Sequence, residues 1–231
     1  MTQAVRPERE ISHEVARLLL RAGAVHVSRH QPFVLAAGWA SPVYVDVRLL
    51  LGEPELRHAV TGLAARHAGS AFPDGGFDAV AGAETAGIPF AAWLADALGL
   101  KLRYVRKRPL GVGRNAQVEG GPVEGLRVLL MDDLTTDGAS KLNFLRGLRA
   151  AGATVSDVLT IFYHDAFPGA GERLAEAGLT LHALATWADV LAADDEGRLA
   201  REDRAEIERF LADPVAWSTR HGGRSSPTLR V

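Results

Sequence analysis

The chain has 231 residues, 47% hydrophobic and 23% charged, with a formal net charge of -2 at pH 7. That length accommodates one large α/β domain, or one domain with a small appendage. The near-neutral charge without a Lys/Arg block argues against extended nucleic-acid binding. The absence of cysteine excludes disulfides, zinc–thiolate sites and cysteine nucleophiles. No apolar run is long enough to span a bilayer. The polar segment Met1 to Glu10 carries no signal-peptide core, so a cytoplasmic protein without a membrane partner is expected.

In chain order, Ile11, Val15, Leu18, Leu19 and Ala22 recur at helical spacing and predict a helix over 8–22 that stops at Gly23. Val25-His26-Val27 is strand-like. Over 33–48, two β-rich runs flank a small-residue turn at Ala36 to Ser41. Composition suits a surface hairpin, or a pocket edge whose small side chains expose backbone to a flat ligand. Pro54 can occupy the first turn of a helix carrying Leu56, Val60, Leu63 and Ala64. Phe77 to Ala81 reads as a strand, followed by a Gly-flanked loop at Gly82 to Pro89 and a helix from Phe90 to Leu98. That loop is a possible second anion cup. Leu102 to Val105 is a short strand. Residues 106–122 are rich in Gly and Pro, lack periodicity and hold the densest cluster of cations in the chain. A long loop of that kind inside a compact domain suits a functional lid.

The densest pattern begins at Val128. Val128 to Met131 form an unbroken apolar run, as in a strand buried on both faces of a parallel sheet. Asp132 and Asp133 come next, then the loop Leu134-Thr135-Thr136-Asp137-Gly138-Ala139-Ser140, then a helix with Leu142, Leu145, Leu148 and Ala151. Open α/β sheets bind ligands beyond the carboxyl ends of their strands. Loop amides at the start of a helix face anions, and Thr135, Thr136 and Ser140 add hydroxyls. Paired carboxylates repel phosphate but accept hydrogen bonds from sugar hydroxyls, or bind a metal ion. A sugar phosphate satisfies both halves. An ordinary strand–turn–helix, with Thr and Asp as turn and cap residues, accounts for the same composition. Further strands are expected over Val155 to Phe162 and Leu179 to Leu184, with a helix over Glu172 to Ala177 between them. The remainder is acidic and helical, and the tail from Ser218 is expected to fray.

With these parts assembled, the sequence resembles the type I phosphoribosyltransferases, and within them the orotate phosphoribosyltransferases. Met131 to Ser140 matches the signature for the ribose phosphate of phosphoribosyl pyrophosphate (PRPP). Phe33 to Asp46 is similar to the orotate members' hairpin, Gly82 to Pro89 to their pyrophosphate loop, and Tyr104 to Gly120 to their mobile catalytic loop. The resemblance implies an α/β fold with a mainly parallel central sheet flanked by helices. It implies one domain over 1–231, with a small hood at about 1–50, a core at about 51–190 and a helical extension at about 191–231. It implies transfer of phosphoribose from PRPP to orotate, giving orotidine 5′-phosphate and pyrophosphate in UMP biosynthesis. Mg2+ would be carried mainly by PRPP, with no protein metal ligand assigned. A homodimer with shared active sites is implied as well. The candidate catalytic residues are Arg106, Lys107, Asp132 and Asp133. PRPP would be bound by these four together with Leu134, Thr135, Thr136, Asp137, Gly138, Ala139, Ser140, Thr85 and Ala86. Orotate would meet Thr136, Ala37 and Gly38.

The sequence departs from the family at Ala36, Ala86 and Leu110, where many relatives carry lysine, and at Val112, where they carry histidine. Arg108 or Arg114 lies close enough in the loop to stand in for the lysine missing at Leu110. Tyr163-His164-Asp165 lacks the arginine that many members use for orotate's carboxylate. A non-catalytic PRPP- or nucleotide-sensing module and a purine phosphoribosyltransferase are the competing readings.

Overall fold

The computed structural model describes residues 4–73, 75–109, 111 and 116–226. Leu110, Val112 and Arg114, three positions singled out in the sequence, lie outside the described residues. Helix α1 (Arg9–Arg21) forms as predicted, with Ile11, Val15, Leu18 and Leu19 all at most 2% exposed on one face. Strands β1 (Val25–Val27), β2 (Phe33–Val34), β3 (Ala40–Ser41) and β4 (Val43–Val45) pair only among themselves: β2 with β3, and β1 with β4, both antiparallel. The second β-rich run is therefore split, and Pro42 marks the break. A proline has no N–H to continue a ladder, so β3 closes the hairpin and β4 pairs elsewhere. The Ser41 hydroxyl donates to the Val43 carbonyl and accepts its N–H.

Helices α2 (Leu49–Gly52) and α3 (Pro54–Ala71) follow, the latter with Pro54 in its first turn. Then β5 (Ala79–Ala83), α4 (Gly87–Leu98), β6 (Lys101–Val105), β7 (Val118–Glu119), β8 (Val128–Thr135), α5 (Ala139–Ala150), β9 (Asp157–Tyr163), α6 (Ala170–Glu176) and β10 (Thr180–Thr186) build the core. Helices α7 (Trp187–Ala192), α8 (Arg201–Ala212) and α9 (Pro214–Arg220) complete the described chain. The main sheet runs β10-β9-β8-β5-β6-β7, parallel except for β7 at its edge. Its two faces bury separate clusters. On β8, Leu129 and Met131 enter one, and Val128 and Leu130 the other. Burial on both faces is why this strand reads as an unbroken apolar run. Among the described residues no helix is long and apolar enough to cross a membrane.

Four expectations change. The predicted strand at 77–81 lies two residues later, at Ala79–Ala83. The 106–122 segment is not structureless throughout, because β7 pairs antiparallel with β6. Strand β8 does not end at Met131. It continues through both acids, since Asp132, Leu134 and Thr135 still pair with Thr160, Phe162 and Tyr163 of β9. Finally, the tail does not fray at Ser218, which is fully buried next to a 4%-exposed Trp217. Aromatic rings run in series from Trp39 through Phe167 and Phe210 to Trp217 and His221, and they anchor α8 and α9 to the hairpin.

At the amino ends of β9 and β10, His182 bridges Asp157 at 2.8 Å and His67 at 3.3 Å. Burial first, then the charges of His182 and Arg6, pulls the His67 pKa down from 6.5 to about 4. Burial alone brings His164 to about 4, and its Nδ1 accepts the Trp187 indole N–H at 3.3 Å. Both folded values lie below the unfolded one, so the folded state excludes protons that the unfolded chain takes up. Stability is full above pH 6.5 and is lost as pH falls towards 4, by on the order of 3 kcal/mol per imidazole. Urea unfolding at pH 7 and at pH 4.5 should show this loss, and His67→Gln should make it shallower.

Candidate active site

Strand β8 carries Asp132 and Asp133 at its carboxyl end, next to the turn that joins β5 to α4. The fit there is tight. A Cβ on Gly87 would stand 2.5 Å from the Met131 carbonyl oxygen and 3.0 Å from the Asp132 Cα. Only glycine lets the start of α4 press against the acid pair. The second candidate anion loop, Gly82 to Gly87, is thereby set against the first. Its Glu84–Thr85 peptide bond is cis.

The two acids differ in environment. Asp132 is 7% exposed and pairs with the Lys141 ammonium at 2.6 Å. The Lys141 side chain is itself only 3% exposed and donates to the Leu134 carbonyl as well. Asp133 is partly open. Burial first, then the Asp132 charge, pushes its pKa up to about 7, with Lys141 pulling weakly the other way. Its N–H donates to Asp132 Oδ1 at 2.9 Å. The first carboxylate is thus neutralised inside the protein, and the second remains available to a ligand near neutral pH. Sequence reading missed Lys141. The one available signal was a lysine in the first turn of a helix, where the dipole disfavours a cation.

Beyond the acids, Gly138 takes φ +75° immediately before α5, and Ala139 and Ser140 are exposed at the helix start. Thr135 is fully buried, and its hydroxyl finds no hydrogen-bond partner among the described residues. Thr136 is half-buried. Asp137 looks out of place in an anion loop, yet its carboxylate is turned to cations. It lies 3.5 Å from Arg173 and 3.9 Å from Arg224, and accepts the Ala139 N–H at 3.1 Å. Arg173 also donates to the Asp137 carbonyl. Neither arginine carries a sequence signal, because they lie 36 and 87 residues away from Asp137 in the chain.

Arg106 and Lys107 stand by the β5–α4 turn. The Arg106 guanidinium lies 3.3 Å from Glu119 and 4.0 Å from Glu84, and donates to the Tyr104 hydroxyl at 3.2 Å. The Lys107 N–H donates to Glu84 at 2.7 Å, its carbonyl accepts from Asn143, and the residue is exposed. Gln117 packs on Gly147 and donates to the Arg106 carbonyl at 3.0 Å. These contacts fix the base of the 106–122 segment to α5 and to the loop holding Thr85 and Ala86. Ala37 and Gly38 form the tip of the β2–β3 hairpin, and both their carbonyls accept from Arg224. Among the described residues no three His, Asp or Glu side chains converge on a metal position.

Residues 50–171 match the family model of the phosphoribosyl transferase domain. The chain is 48% identical over 213 residues to the orotate phosphoribosyltransferase of Sinorhizobium fredii, covering 90% of each protein. Among solved structures, that of orotate phosphoribosyltransferase from Aeropyrum pernix is 36% identical with a TM-score of 0.66, covering 77% of this chain and 97% of that one. The orotate phosphoribosyltransferase of Mycobacterium tuberculosis H37Rv in complex with PRPP is 26% identical with a TM-score of 0.59, covering 78% and 98%.

Removing one partner of a buried ion pair leaves an uncompensated charge, at a cost of about 3–5 kcal/mol. Lys141→Met should lose stability on that scale in urea unfolding. Adding Asp132→Asn to Lys141→Met should restore much of the loss.

Proposed function

The chain belongs to the phosphoribosyl transferase domain family, and from that premise we propose that it transfers the 5-phosphoribosyl group from PRPP to orotate. The products are orotidine 5′-phosphate and pyrophosphate, and the step belongs to pyrimidine (UMP) biosynthesis. The observation that carries the reading is the acid pair standing directly against an anion loop at the carboxyl end of the central strand. One ligand bearing both sugar hydroxyls and a phosphate meets chemically opposite groups there.

In this mechanism Asp133, with Asp132 behind it, accepts hydrogen bonds from the ribose hydroxyls. The amides and hydroxyls of Leu134 to Ser140 hold the 5-phosphate. Thr136 and the tip at Ala37 and Gly38 face orotate, and Thr85 and Ala86 face the pyrophosphate. The bond from the anomeric carbon to pyrophosphate oxygen breaks, a bond from that carbon to the orotate ring nitrogen forms, and the proton that nitrogen carried leaves to the departing pyrophosphate or to solvent. The sugar becomes cation-like in between, so charge accumulates on the leaving group. Arg106 and Lys107, held beside Glu84 next to the β5–α4 turn, stabilise that charge. A homodimer with shared active sites belongs to the same reading and rests on the family alone. Mg2+ would be carried by PRPP and would offset the charge of its diphosphate, with no protein side chain assigned to it. Residues 1–50, 51–190 and 191–231 serve as hood, core and extension, and the cytoplasm is the proposed location.

Mixing the protein with orotate, PRPP and Mg2+ should deplete orotate absorbance. Tight PRPP binding without turnover would replace the proposal with a sensing role. Arg106→Ala should lower kcat/KM by roughly 2–4 kcal/mol of transition-state stabilisation. Because burial and the Asp132 charge push the Asp133 pKa up towards neutrality, and the carboxylate holds ribose best when ionised, PRPP should bind more tightly as pH rises towards and through neutral. Binding at pH 6.5 should release a proton. Calorimetry in two buffers of different ionisation enthalpy measures that release, and Asp133→Asn should abolish it.

A further inference from the structure

We propose that Arg224 is a positioning residue that ties the β2–β3 hairpin to the phosphate loop, so that the C-terminal extension sets the spacing of the two half-sites. The proposal rests on the assignment above, in which the hairpin faces the base and residues 134–140 face the phosphate.

After α9 the chain turns back across the hairpin. The Ser218 hydroxyl accepts the Ala40 N–H at 3.0 Å and donates to the Arg224 carbonyl at 2.8 Å. The Arg224 N–H donates to the Gly38 carbonyl at 3.1 Å. Its Nη1 donates to the Ala37 carbonyl at 2.7 Å and stands 3.9 Å from Asp137 Oδ2. Its Cζ lies 5.2 Å from the centre of the Trp39 ring, which is 1% exposed and stacks on Phe167. There is no slack in the strap, since a Cβ on Gly223 would be 2.3 Å from the Ala40 nitrogen. The same Nη1 therefore bonds the hairpin backbone and stands within ion-pair range of the phosphate-loop acid, while Nη2 is buried with no hydrogen-bond partner among the described residues. Ala37, Asp137, Ala139, Arg173 and Arg224 line a common cleft of about 790 Å³.

The chemistry suits a coupling role. The flat guanidinium can lie over the Trp39 ring while its Nη1 faces the Ala37 carbonyl and the Asp137 carboxylate, which an ammonium does less well. Phosphate entering the loop adds negative charge beside Asp137 and strengthens the pull on Arg224. The hairpin carbonyls are bonded to that same residue, so occupancy of the phosphate loop reaches the base side through it.

Two measurements on the full chain test this. Arg224→Ala should raise KM for orotate about tenfold while KM for PRPP stays within about twofold, the pattern of a misplaced positioning group. Arg224→Lys keeps the charge but not the flat guanidinium and should fall between. Arg220→Ala, which removes an exposed cation from the same tail, should leave both constants unchanged. Independently of turnover, PRPP should slow hydrogen exchange in segment 33–41 of the native protein and fail to do so in Arg224→Ala. An unchanged KM for orotate with undiminished PRPP protection would overturn the proposal. So would an equal rise in both KM values accompanied by a fall in Tm, which marks general destabilisation. If the native protein does not turn over orotate, the orotate assignment fails, and the exchange measurement still decides the role of Arg224.

Discussion

The buried pair between Lys141 and Asp132 is the constraint on which the centre of this molecule depends. It lets a strand that is apolar on both faces run past its core and carry carboxylates at its end. Asp132 has almost no water around it, and a lone charge there would protonate or destabilise the strand end. The ammonium comes from the first turn of the very helix that the loop leads into. The pair therefore also sets how α5 meets β8, and with it the loop between them. Gly87 supplies the other half of the fit by letting α4 approach without a side chain. The acid pair, both anion loops and two helix starts are held within one small volume by these contacts.

The pairing also separates two chemically similar groups. Asp132 is satisfied inside the protein, whereas Asp133 keeps an open side and a pKa near neutrality. Two adjacent carboxylates thereby acquire different environments, one paired and buried and one partly open. Asp137 repeats the theme. An acid in a loop built for anions would oppose its own ligand, but Arg173 and Arg224 surround it. The local charge around the loop is then cationic although the loop's own side chain is not.

The C-terminal segment is part of this arrangement and not an appendage. Its acidic, alternating-charge stretch does present a solvated face on α8, where only Ile207 and Phe210 are buried. Beyond α8 the packing changes character. Trp217, Ser218, Gly223 and Arg224 meet the hairpin through rings, hydroxyl and backbone. None of these contacts has a period, so nothing in the local sequence distinguishes this segment from a frayed end. The hairpin hides its division for a related reason. Its second run looks continuous in sequence, and only the pairing of β4 with β1 shows that Pro42 divides it.

Legibility in the sequence depends on which interactions are local. Helix α1, the Pro54 helix, the Gly99-terminated α4 and the parallel strands were readable because burial leaves a period or an apolar run in adjacent residues. The acid pair and the Thr135 to Ser140 loop were readable because a strand end, a turn and a helix start are contiguous in the chain. Gly82 to Pro89 and the 106–122 segment were read as loops, whereas only residues 84–86 lie between β5 and α4, and their joining through Glu84 was not visible. Lys141, Arg173 and Arg224 escaped notice because a cation's role depends on which carboxylate it meets, and that is decided by distant segments. By itself, then, the sequence determined the α/β architecture, the strand–acid-pair–loop–helix unit at its centre and its family resemblance. Only the tertiary structure decided which charges are neutralised, which stay open to a ligand, and that the C-terminal tail reaches the site. Electrostatic pairing acts through space, and its partners leave no mark on their neighbours in the chain.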